Sequence, residues 1–280
     1  MNRSPSDHPW RGRSVLITGA SSGVGAALAE ILAAEGARPA LMARDMAGLA
    51  ETSRRCKALG GEAVTVVGDV TVPADCAAAV EAADGDGGGL DIAIACAGLS
   101  MWTRFDELED PATLRRIMDV NYGGLVNTAF HALPHLKRSR GQLVVISSIQ
   151  GCLGVPFHTG YSASKHAVQG FCDSLRMELR GTGVGILTVI AHWIQGTKLR
   201  EHALGADGCP QGSAPFPHGS GAVPVADMVR AIMRGMQARR RTLFVPAKLR
   251  YLTWLVAVAP PLAEAIVRRR VYREHARRGR

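Results

Sequence analysis

Short apolar runs alternate with amphipathic stretches along most of the chain. The runs, rich in Val, Ile, Leu and Ala, predict β-strands at residues 14–18, 38–42, 62–68, 91–96, 142–147, 185–190 and 243–245. The stretches between them predict α-helices at residues 25–35, 46–59, 74–83, 110–136, 162–180 and 225–239, the fourth with a break before Asn121. Continuous apolar strands that alternate with helices indicate a parallel sheet covered on both faces.

This order of elements predicts the fold class. Right-handed crossovers between successive parallel strands produce a doubly wound α/β sheet. We therefore expect a single Rossmann-fold domain over residues 13–247, after a flexible N-terminus at residues 1–12. Residues 248–280 are expected to form a basic C-terminal helical arm.

One segment interrupts the alternation of strands and helices. Nine of the 20 residues at 205–224 are Gly or Pro, a density that excludes a regular helix or strand there. Long loops in compact domains are usually lids or disordered segments. We expect residues 192–224 to form a lid over a substrate site.

Composition and charge exclude several classes of protein. Hydrophobic residues make up 47% of the 280 residues and charged residues 20%, which excludes a disordered or fibrous protein. The formal charge of +9 is concentrated at residues 268–280, which carry seven Arg and one Glu. The rest of the chain is near neutral and predicts no basic groove, so nucleic-acid binding is not expected.

Cysteine spacing and the chain ends bear on the compartment. The six Cys are at least 20 residues apart, a spacing that favours reduced thiols in the cytoplasm and no metal site. The first residues lack an apolar core, so we expect no signal peptide. The apolar stretch at 251–267 is interrupted by Pro260, Pro261 and Glu264, and we do not expect it to span a bilayer.

The C-terminal arm joins apolar and aromatic residues such as Leu252 and Trp254 to the Arg cluster that follows. Trp and Tyr favour the membrane–water boundary, and Arg favours anionic lipid. The arm therefore has three interpretations at this point. It packs on its own domain, it contacts a membrane surface peripherally, or it closes an interface between subunits.

A glycine-rich turn follows the first predicted strand, in the segment TGASSGVG at residues 18–25. Gly19 permits the tight turn, and Gly23 and Gly25 let the backbone approach a pyrophosphate at a helix N-terminus. The second strand ends in Ala43 and Arg44, where a dinucleotide site for NAD would carry a carboxylate. Because Arg pairs well with phosphate, this favours NADP over NAD, unless Asp45 neutralises Arg44.

Three further residues have spacings suited to proton transfer. Tyr161 and Lys165 lie on one face of a predicted helix, because they are four residues apart. An ammonium beside a phenol stabilises the phenolate and lowers its pKa. Ser148 directly follows the fifth predicted strand and lies 13 residues before Tyr161, which is long enough for a loop to bring its hydroxyl beside the phenol.

Over residues 13–245 these motifs resemble those of the short-chain dehydrogenase/reductase family. The resemblance rests on the glycine-rich turn, Asp69, the segment Cys96-Ala97-Gly98, Asn121, Ser148 and the YSASK segment at 161–165. It implies a Rossmann domain, a nicotinamide cofactor and hydride transfer to or from a carbonyl carbon. It also implies a homodimer or homotetramer, because family members commonly pair their long helices.

The resemblance implies a role for each matching residue. Tyr161 would give a proton to a ketone or take one from an alcohol, and Lys165 would lower its pKa and hold the nicotinamide ribose. Ser148 would bind the substrate oxygen, Asn121 would place a water for a proton relay, and Asp69 would contact the adenine. The implied cofactor-binding set is Gly19, Ser21, Ser22, Gly23, Val24, Gly25, Arg44, Asp69, Val70, Ala97, Gly98, Tyr161, Lys165 and Thr197.

A narrower resemblance is to the 7B-like branch of the dehydrogenase/reductase group, through ISSIQG and YSASKHAVQGFCDSLRMEL. That branch is membrane-associated and is linked to lipid-type ketones, which implies a hydrophobic substrate and a role in lipid metabolism. Two segments depart from the family pattern. Ala95-Cys96 replaces Asn-Asn, and His192-Trp193 replaces Pro-Gly, which puts the contact of Thr197 with the carboxamide in doubt.

The sequence thus predicts an NADP(H)-dependent oxidoreductase of the carbonyl reductase or alcohol dehydrogenase type. A cofactor-binding regulatory or scaffold protein with little turnover is the alternative, and the Asn–Ser–Tyr–Lys set argues against it. We expect a small-molecule carbonyl or alcohol substrate and a cytoplasmic location, with contact at the membrane periphery as an open option.

Overall fold

A computed structural model describes residues 9–85, 87–212 and 222–276 of the chain. Its strands are β1 (Ser14–Thr18), β2 (Arg38–Ala43), β3 (Val64–Val67), β4 (Ile92–Ala95), β5 (Gln142–Ser148), β6 (Gly185–Ala191), β7 (Ile194–Gln195), β8 (Val223–Pro224) and β9 (Thr242–Val245). Within the described ranges, seven strands form one parallel sheet in the order β3-β2-β1-β4-β5-β6-β9.

Helices connect these strands and cover both faces of the sheet. They are α1 (Gly23–Ala34), α2 (Met46–Ala58), α3 (Pro73–Asp84), α4 (Ala112–Met118), α5 (Gly124–Ser139), α6 (Thr159–Glu178), α7 (Val225–Gln237), α8 (Leu249–Val258) and α9 (Pro260–Ala276). Apolar side chains of α1 and α7 pack on one face of the sheet, and those of α3, α5 and α6 pack on the other. The interior strands β1, β4 and β5 are buried almost throughout, which explains their continuous apolar sequences.

The strand order confirms the predicted doubly wound α/β fold. The order reverses at β1 and β4, so a crevice opens beyond the carboxyl ends of these strands, where such sheets bind ligands. Thr18, Ala95 and Ser148 end three neighbouring strands at this edge.

Two predicted elements differ from the structure. The break expected before Asn121 is a π-helical turn, Asp119–Gly123, that joins α4 to α5 without a gap. The Gly and Pro content of residues 205–224 predicts no strand, but the end of this segment pairs with the chain after β6, where Val223 lies opposite Ile194. This pairing is possible because Pro224 takes part without donating a hydrogen bond.

The N-terminal boundary of the packed domain lies earlier than residue 13. Residues 1–8 of the predicted flexible terminus lie outside the described residues. Trp10 is buried in the cluster formed with α1, and the Gly12 N–H donates to the Gly36 carbonyl at 2.8 Å. Residues 9–12 are therefore part of the domain rather than a free tail.

The C-terminal arm is helical, as predicted, and it returns to the domain. Leu249 and Val256 of α8 pack near Ile149 and Leu153, and Val271 of α9 packs with Trp102 and Phe157. In the described part of the chain, no helix combines the length and apolar character needed to cross a bilayer.

Candidate active site

The glycine turn has the close backbone contacts that only glycine allows. A Cβ atom on Gly19 would lie 2.8 Å from the Ala97 Cα atom, and one on Gly25 would lie 2.4 Å from the Gly19 carbonyl oxygen. Gly19 and Gly23 also have positive φ angles of 68° and 57°. The turn therefore leaves the N-terminus of α1 open, which fits a pyrophosphate bound by backbone N–H groups.

A cavity of about 460 Å³ runs from this turn along the carboxyl edge of the sheet. Most of the predicted site residues line it, although they come from seven separate segments of the chain. Those that line it are Gly19, Ser21, Ser22, Gly23, Val24, Arg44, Asp69, Val70, Ala97, Gly98, Ser148, Tyr161, Lys165 and Thr197. Gly25 does not line the cavity but packs against the Gly19 carbonyl within the turn. Asn121 lines a smaller neighbouring cavity.

Arg44 stands at one end of the cavity and is not neutralised by Asp45. Asp45 caps α2 by accepting a hydrogen bond from the Gly48 N–H at 3.0 Å. The carboxylate nearest to Arg44 Nη1 is that of Asp69, at 3.5 Å from Oδ2. Burial raises the pKa of Asp69, but hydrogen bonds from Thr71 and the charge of Arg44 outweigh this, so its pKa is lowered. Asp69 is therefore ionised, and the exposed guanidinium keeps other donors for a phosphate.

The proposed proton-transfer groups meet at the other end. Tyr161 lies in the first turn of α6, one turn before Lys165, whose Nζ atom is 5.7 Å from the Tyr161 ring centre. Lys165 Nζ donates to the Ile146 carbonyl at 3.1 Å, which fixes the ammonium against β5. Ser148 ends β5 and is hydrogen-bonded to the Tyr161 phenol. The structure thus brings Ser148, Tyr161 and Lys165 together.

The pKa values differ from the simple expectation for a tyrosine beside a lysine. Burial raises the pKa of Tyr161 to about 12, and the hydrogen bond from Ser148 only partly opposes this effect. Burial also lowers the pKa of Lys165 to about 8. The phenol is therefore protonated at neutral pH in this arrangement, as a proton donor must be.

Both polar atoms of the Asn121 side chain form hydrogen bonds within the protein, which indicates a structural role. Its Oδ1 accepts from the Leu99 N–H at 2.7 Å, and its Nδ2 donates to the Leu99 carbonyl and to Ser164 Oγ, both at 2.9 Å. Two of these bonds hold the segment after β4 and the third reaches α6, so Asn121 links the two. A cavity of about 10 Å³ between Asn121, Thr18 and Lys165 has room for about one water molecule.

Thr197 also lines the main cavity. So do His192 and Trp193, which replace the Pro-Gly of the family pattern. The Thr197 Cγ2 atom lies 3.3 Å from the position of a Cβ on Gly23, so this residue faces the glycine turn. The Arg200 guanidinium lies over the Trp193 ring, 3.8 Å from the ring centre. The Trp193 indole and the Arg200 guanidinium thus form part of the cavity wall together.

Sequence reasoning missed an aromatic wall beside Tyr161. Trp102 stacks on Phe157 at 5.5 Å between ring centres and stands edge-on to His158 at 4.8 Å. His158 also contacts the rings of Trp193 and Tyr161. Tyr272 of α9 packs on Phe157 at 5.4 Å and closes the wall from outside. These residues come from four distant segments, so no local pattern joins them.

Metal-binding geometry is not seen among the described residues, where no three His, Cys, Asp or Glu side chains converge. All six Cys are free thiols. Burial raises the pKa of Cys96, which lines the cavity in place of the family Asn, to about 11. Cys96 is therefore an un-ionised, space-filling residue at neutral pH.

Comparisons with known proteins agree with this geometry. A family model described as short chain dehydrogenase matches residues 13–205. The dehydrogenase/reductase SDR family member 7B of Mus musculus is 34% identical over 276 residues, covering 94% of this chain and 83% of that protein. This match confirms the narrower resemblance that the sequence motifs predicted.

Two further proteins are similar over different extents. The 11-beta-hydroxysteroid dehydrogenase A of Arachis hypogaea is 38% identical over 198 residues, which are 70% of this chain and 56% of that relative. The chain therefore spans little more than half of that relative's length. A short chain dehydrogenase from Burkholderia cenocepacia, solved in complex with NADP, has a TM-score of 0.76 at 24% identity and covers 92% of this chain and 98% of that chain. This likeness supports the fold.

Proposed function

The chain belongs to the short-chain dehydrogenase family, and we propose that it is an NADP(H)-dependent oxidoreductase that interconverts a ketone and a secondary alcohol. The observation that carries this proposal is the convergence of Ser148, Tyr161 and Lys165 on a cavity that also contains the glycine turn. Tyr161, Ser148, Lys165 and Asn121 are its proposed catalytic and relay residues.

NADP(H) is the proposed cofactor because of the cation at the end of β2. Arg44 lines the cavity, and its neighbour Asp45 is committed to capping α2. Asp69 would lie against the adenine, and Thr197 would approach the nicotinamide side from across Gly23. NADP is also the cofactor in the Burkholderia cenocepacia structure.

The reaction divides between the cofactor and the protein side chains. The bound nicotinamide supplies or accepts the hydride. Ser148 holds the substrate oxygen through its hydroxyl, and Tyr161 donates its phenolic proton to that oxygen as negative charge develops there. Tyr161 is protonated at neutral pH, as the proton donor in ketone reduction must be.

Lys165 and Asn121 would support the proton transfer by Tyr161. Lys165 holds its ammonium beside the phenol ring, where positive charge stabilises the phenolate left after transfer. The small cavity that Asn121 and Lys165 share has room for a water that would return a proton to Lys165 after Lys165 has given one up toward the Tyr161 phenolate. The Asn121 side chain then acts by positioning the segment after β4.

A hydrophobic or lipid-like ketone is the proposed substrate. Met101, Trp102 and Trp193 form the wall next to Tyr161, and apolar walls of this kind favour apolar ligands. The relative named 11-beta-hydroxysteroid dehydrogenase A, from Arachis hypogaea, is consistent with such a substrate, because a steroid is hydrophobic. The reaction would thus belong to lipid metabolism.

The C-terminal arm is the proposed point of peripheral membrane contact. One face of it packs on the domain, whereas Tyr251, Trp254, Val258, Leu262 and Ile266 are exposed. An aromatic and aliphatic face beside an Arg cluster suits the surface of an anionic membrane. We also propose a homodimer or homotetramer, since Phe130 of α5 and Met177 of α6 are more than 70% exposed.

Turnover tests the proposal against the scaffold alternative. NADPH oxidation is followed with a panel of hydrophobic ketones, and NADPH binding is measured separately. We expect binding together with ketone-dependent oxidation that is faster with NADPH than with NADH. Binding without turnover across the panel would favour the regulatory or scaffold alternative.

A further inference from the structure

Gln150 is a buried polar side chain that the proposed proton transfer does not use. It lies two residues after Ser148, in the 3₁₀ turn Ile149–Gly151, and it lines the main cavity. The residue is only 7% exposed. Burying a carboxamide costs free energy unless its polar atoms form hydrogen bonds, so each polar atom of Gln150 needs a hydrogen-bond partner.

Two hydrogen bonds hold Gln150 in place. Its backbone N–H donates to Ser148 Oγ at 3.2 Å, and its side-chain Oε1 accepts from Ser162 Oγ at 3.1 Å. Ser162 directly follows Tyr161 in α6. The carboxamide thus bridges the turn that carries Ser148 and the helix that carries Tyr161, beside the two hydroxyls that define the position of the substrate oxygen.

The carboxamide oxygen of Gln150 accepts a hydrogen bond from Ser162. The NH₂ group is then the part of the side chain that can donate to a ligand in the cavity that Gln150 lines. Among the described residues, the hydrogen bonding of the side chain runs through Oε1. A carboxamide NH₂ carries two N–H donors. Because Ser162 fixes the orientation of the group, these donors are held in place before a substrate arrives.

We propose that Gln150 Nε2 donates a hydrogen bond to a second oxygen of the substrate, on a carbon close to the reacting carbonyl. This inference rests on the proposed ketone reduction and narrows its substrate class. The preferred substrate is a hydrophobic ketone with a hydroxyl or ether oxygen next to the carbonyl. Such an oxygen satisfies the buried donor, whereas a plain alkyl ketone leaves it without a partner.

Paired ketones test this inference. The full-length enzyme is assayed with NADPH and three probes of equal chain length: a medium-chain alkyl ketone, its α-hydroxy analogue, and an isomer with the hydroxyl at the far end. The measured quantity is the ratio of kcat/KM for the α-hydroxy ketone to that for the alkyl ketone. We expect this ratio to exceed the corresponding ratio for the far-end isomer.

Gln150→Met and Gln150→Leu remove the donor at similar side-chain size. Each variant is expected to lower the α-hydroxy ratio about 3- to 10-fold, the effect of one hydrogen bond, and to leave the far-end ratio unchanged. A purely structural loss would slow all three ketones together and leave both ratios as in the wild type. Gln169→Met is the matched control, because Gln169 lies in α6, donates its side-chain N–H to Cys152 Sγ at 3.5 Å, and does not line the cavity.

The outcomes separate the two proposals. Unchanged α-hydroxy ratios in folded Gln150 variants, with a wild type that reduces ketones, would overturn the inference and leave the proposed function standing. A wild type that binds NADPH and reduces none of the three probes would overturn both. Melting temperatures identify a variant that fails to fold, and the second substitution then supplies the comparison.

Discussion

Arg44 is the residue on which the proposed preference for NADP(H) depends. Its side chain is 62% exposed and stands 3.5 Å from Asp69, so water screens the pair and its attraction is weak. A bound 2′-phosphate would bring two negative charges to the same guanidinium and would compete with Asp69 for it. In the proposed function, selection of NADP(H) would therefore depend on a cation that the protein itself holds only weakly.

We expect Arg44→Ala to raise the KM for NADPH about 10- to 150-fold and the KM for NADH much less. A charge-assisted hydrogen bond of this kind contributes about 1.5–3 kcal/mol. Initial rates with both cofactors measure the effect. Arg54→Ala is the control, because Arg54 is exposed on α2 and pairs with Glu51 outside the cavity. Equal increases for NADPH and NADH would show that Arg44 does not read the 2′-phosphate.

At the scale of elements, a buried carboxylate joins the end of α3 to α5. Asp84 accepts hydrogen bonds from the Gly89 N–H at 2.6 Å, and from His135 Nδ1 and Arg138 Nη2 at 2.8 Å. Burial acts to raise the pKa of Asp84, but the hydrogen bonds from His135 and Gly89 outweigh it, and the pKa is lowered. The ionised carboxylate therefore stabilises the packing of both helices on the sheet.

Asp84→Asn is expected to lower the free energy of unfolding by about 1–3 kcal/mol at pH 7, which corresponds to a fall of several degrees in Tm. Because the pKa of Asp84 is lower in the folded state, its contribution is present above about pH 4 and is lost as pH falls through the folded pKa. Wild type and variant should therefore converge in stability at acid pH.

Thermal unfolding across pH measures this contribution. Glu81→Gln serves as a control on the same helix, since Glu81 is exposed and lies 3.6 Å from His135. Its effect on Tm should be much smaller. A stability difference between wild type and Asp84→Asn that persists unchanged at low pH would contradict the role given to the carboxylate.

Elements of this fold were predictable from the sequence because their signals are local. Gly19 and Gly25 are required by backbone contacts within one strand–turn–helix unit, and Tyr161 and Lys165 are one helical turn apart. The π-helical turn at Asn121 was read as a break, since the hydrogen-bonding shift that keeps α4 and α5 continuous leaves no mark in the apolar pattern.

The substrate side was not predictable in the same way. Trp102, Phe157, Trp193 and Tyr272 meet only after four segments have packed. The raised pKa of Tyr161 likewise results from burial, which the spacing of Tyr161 and Lys165 does not report. Proximity and desolvation across distant segments are properties of the folded chain.

At the scale of the whole molecule, the arm has two faces with different surroundings. Val267 and Val271 pack toward Trp102 and Phe157, so removing α9 would expose the aromatic wall. Trp254 and Leu262 lie on the outer face and are 66% and 55% exposed. A test of membrane contact therefore has to change the outer face and keep the inner one.

We expect the double variant Trp254→Gln, Leu262→Gln to bind anionic liposomes at least about 100-fold more weakly than wild type, because each apolar side chain contributes about 1.5–3 kcal/mol when buried in lipid. Liposome co-sedimentation measures the partition. Leu59→Gln removes a similarly exposed apolar side chain at the end of α2 and should have no effect. Equal binding by wild type and double variant would eliminate the arm as the lipid-binding surface.

The central claim is that Tyr161 gives a proton to a ketone as hydride arrives from NADPH. The most direct test of this claim uses NADPH that carries deuterium at the nicotinamide C4. The rate at which deuterium appears in the product alcohol is measured for the wild type and for Tyr161→Phe. We expect label on the carbinol carbon in the wild type. We expect a rate about 100- to 10,000-fold lower in the variant, with NADPH binding retained because the ring stays in place. Deuterium transfer by Tyr161→Phe at near wild-type rate would contradict the claim.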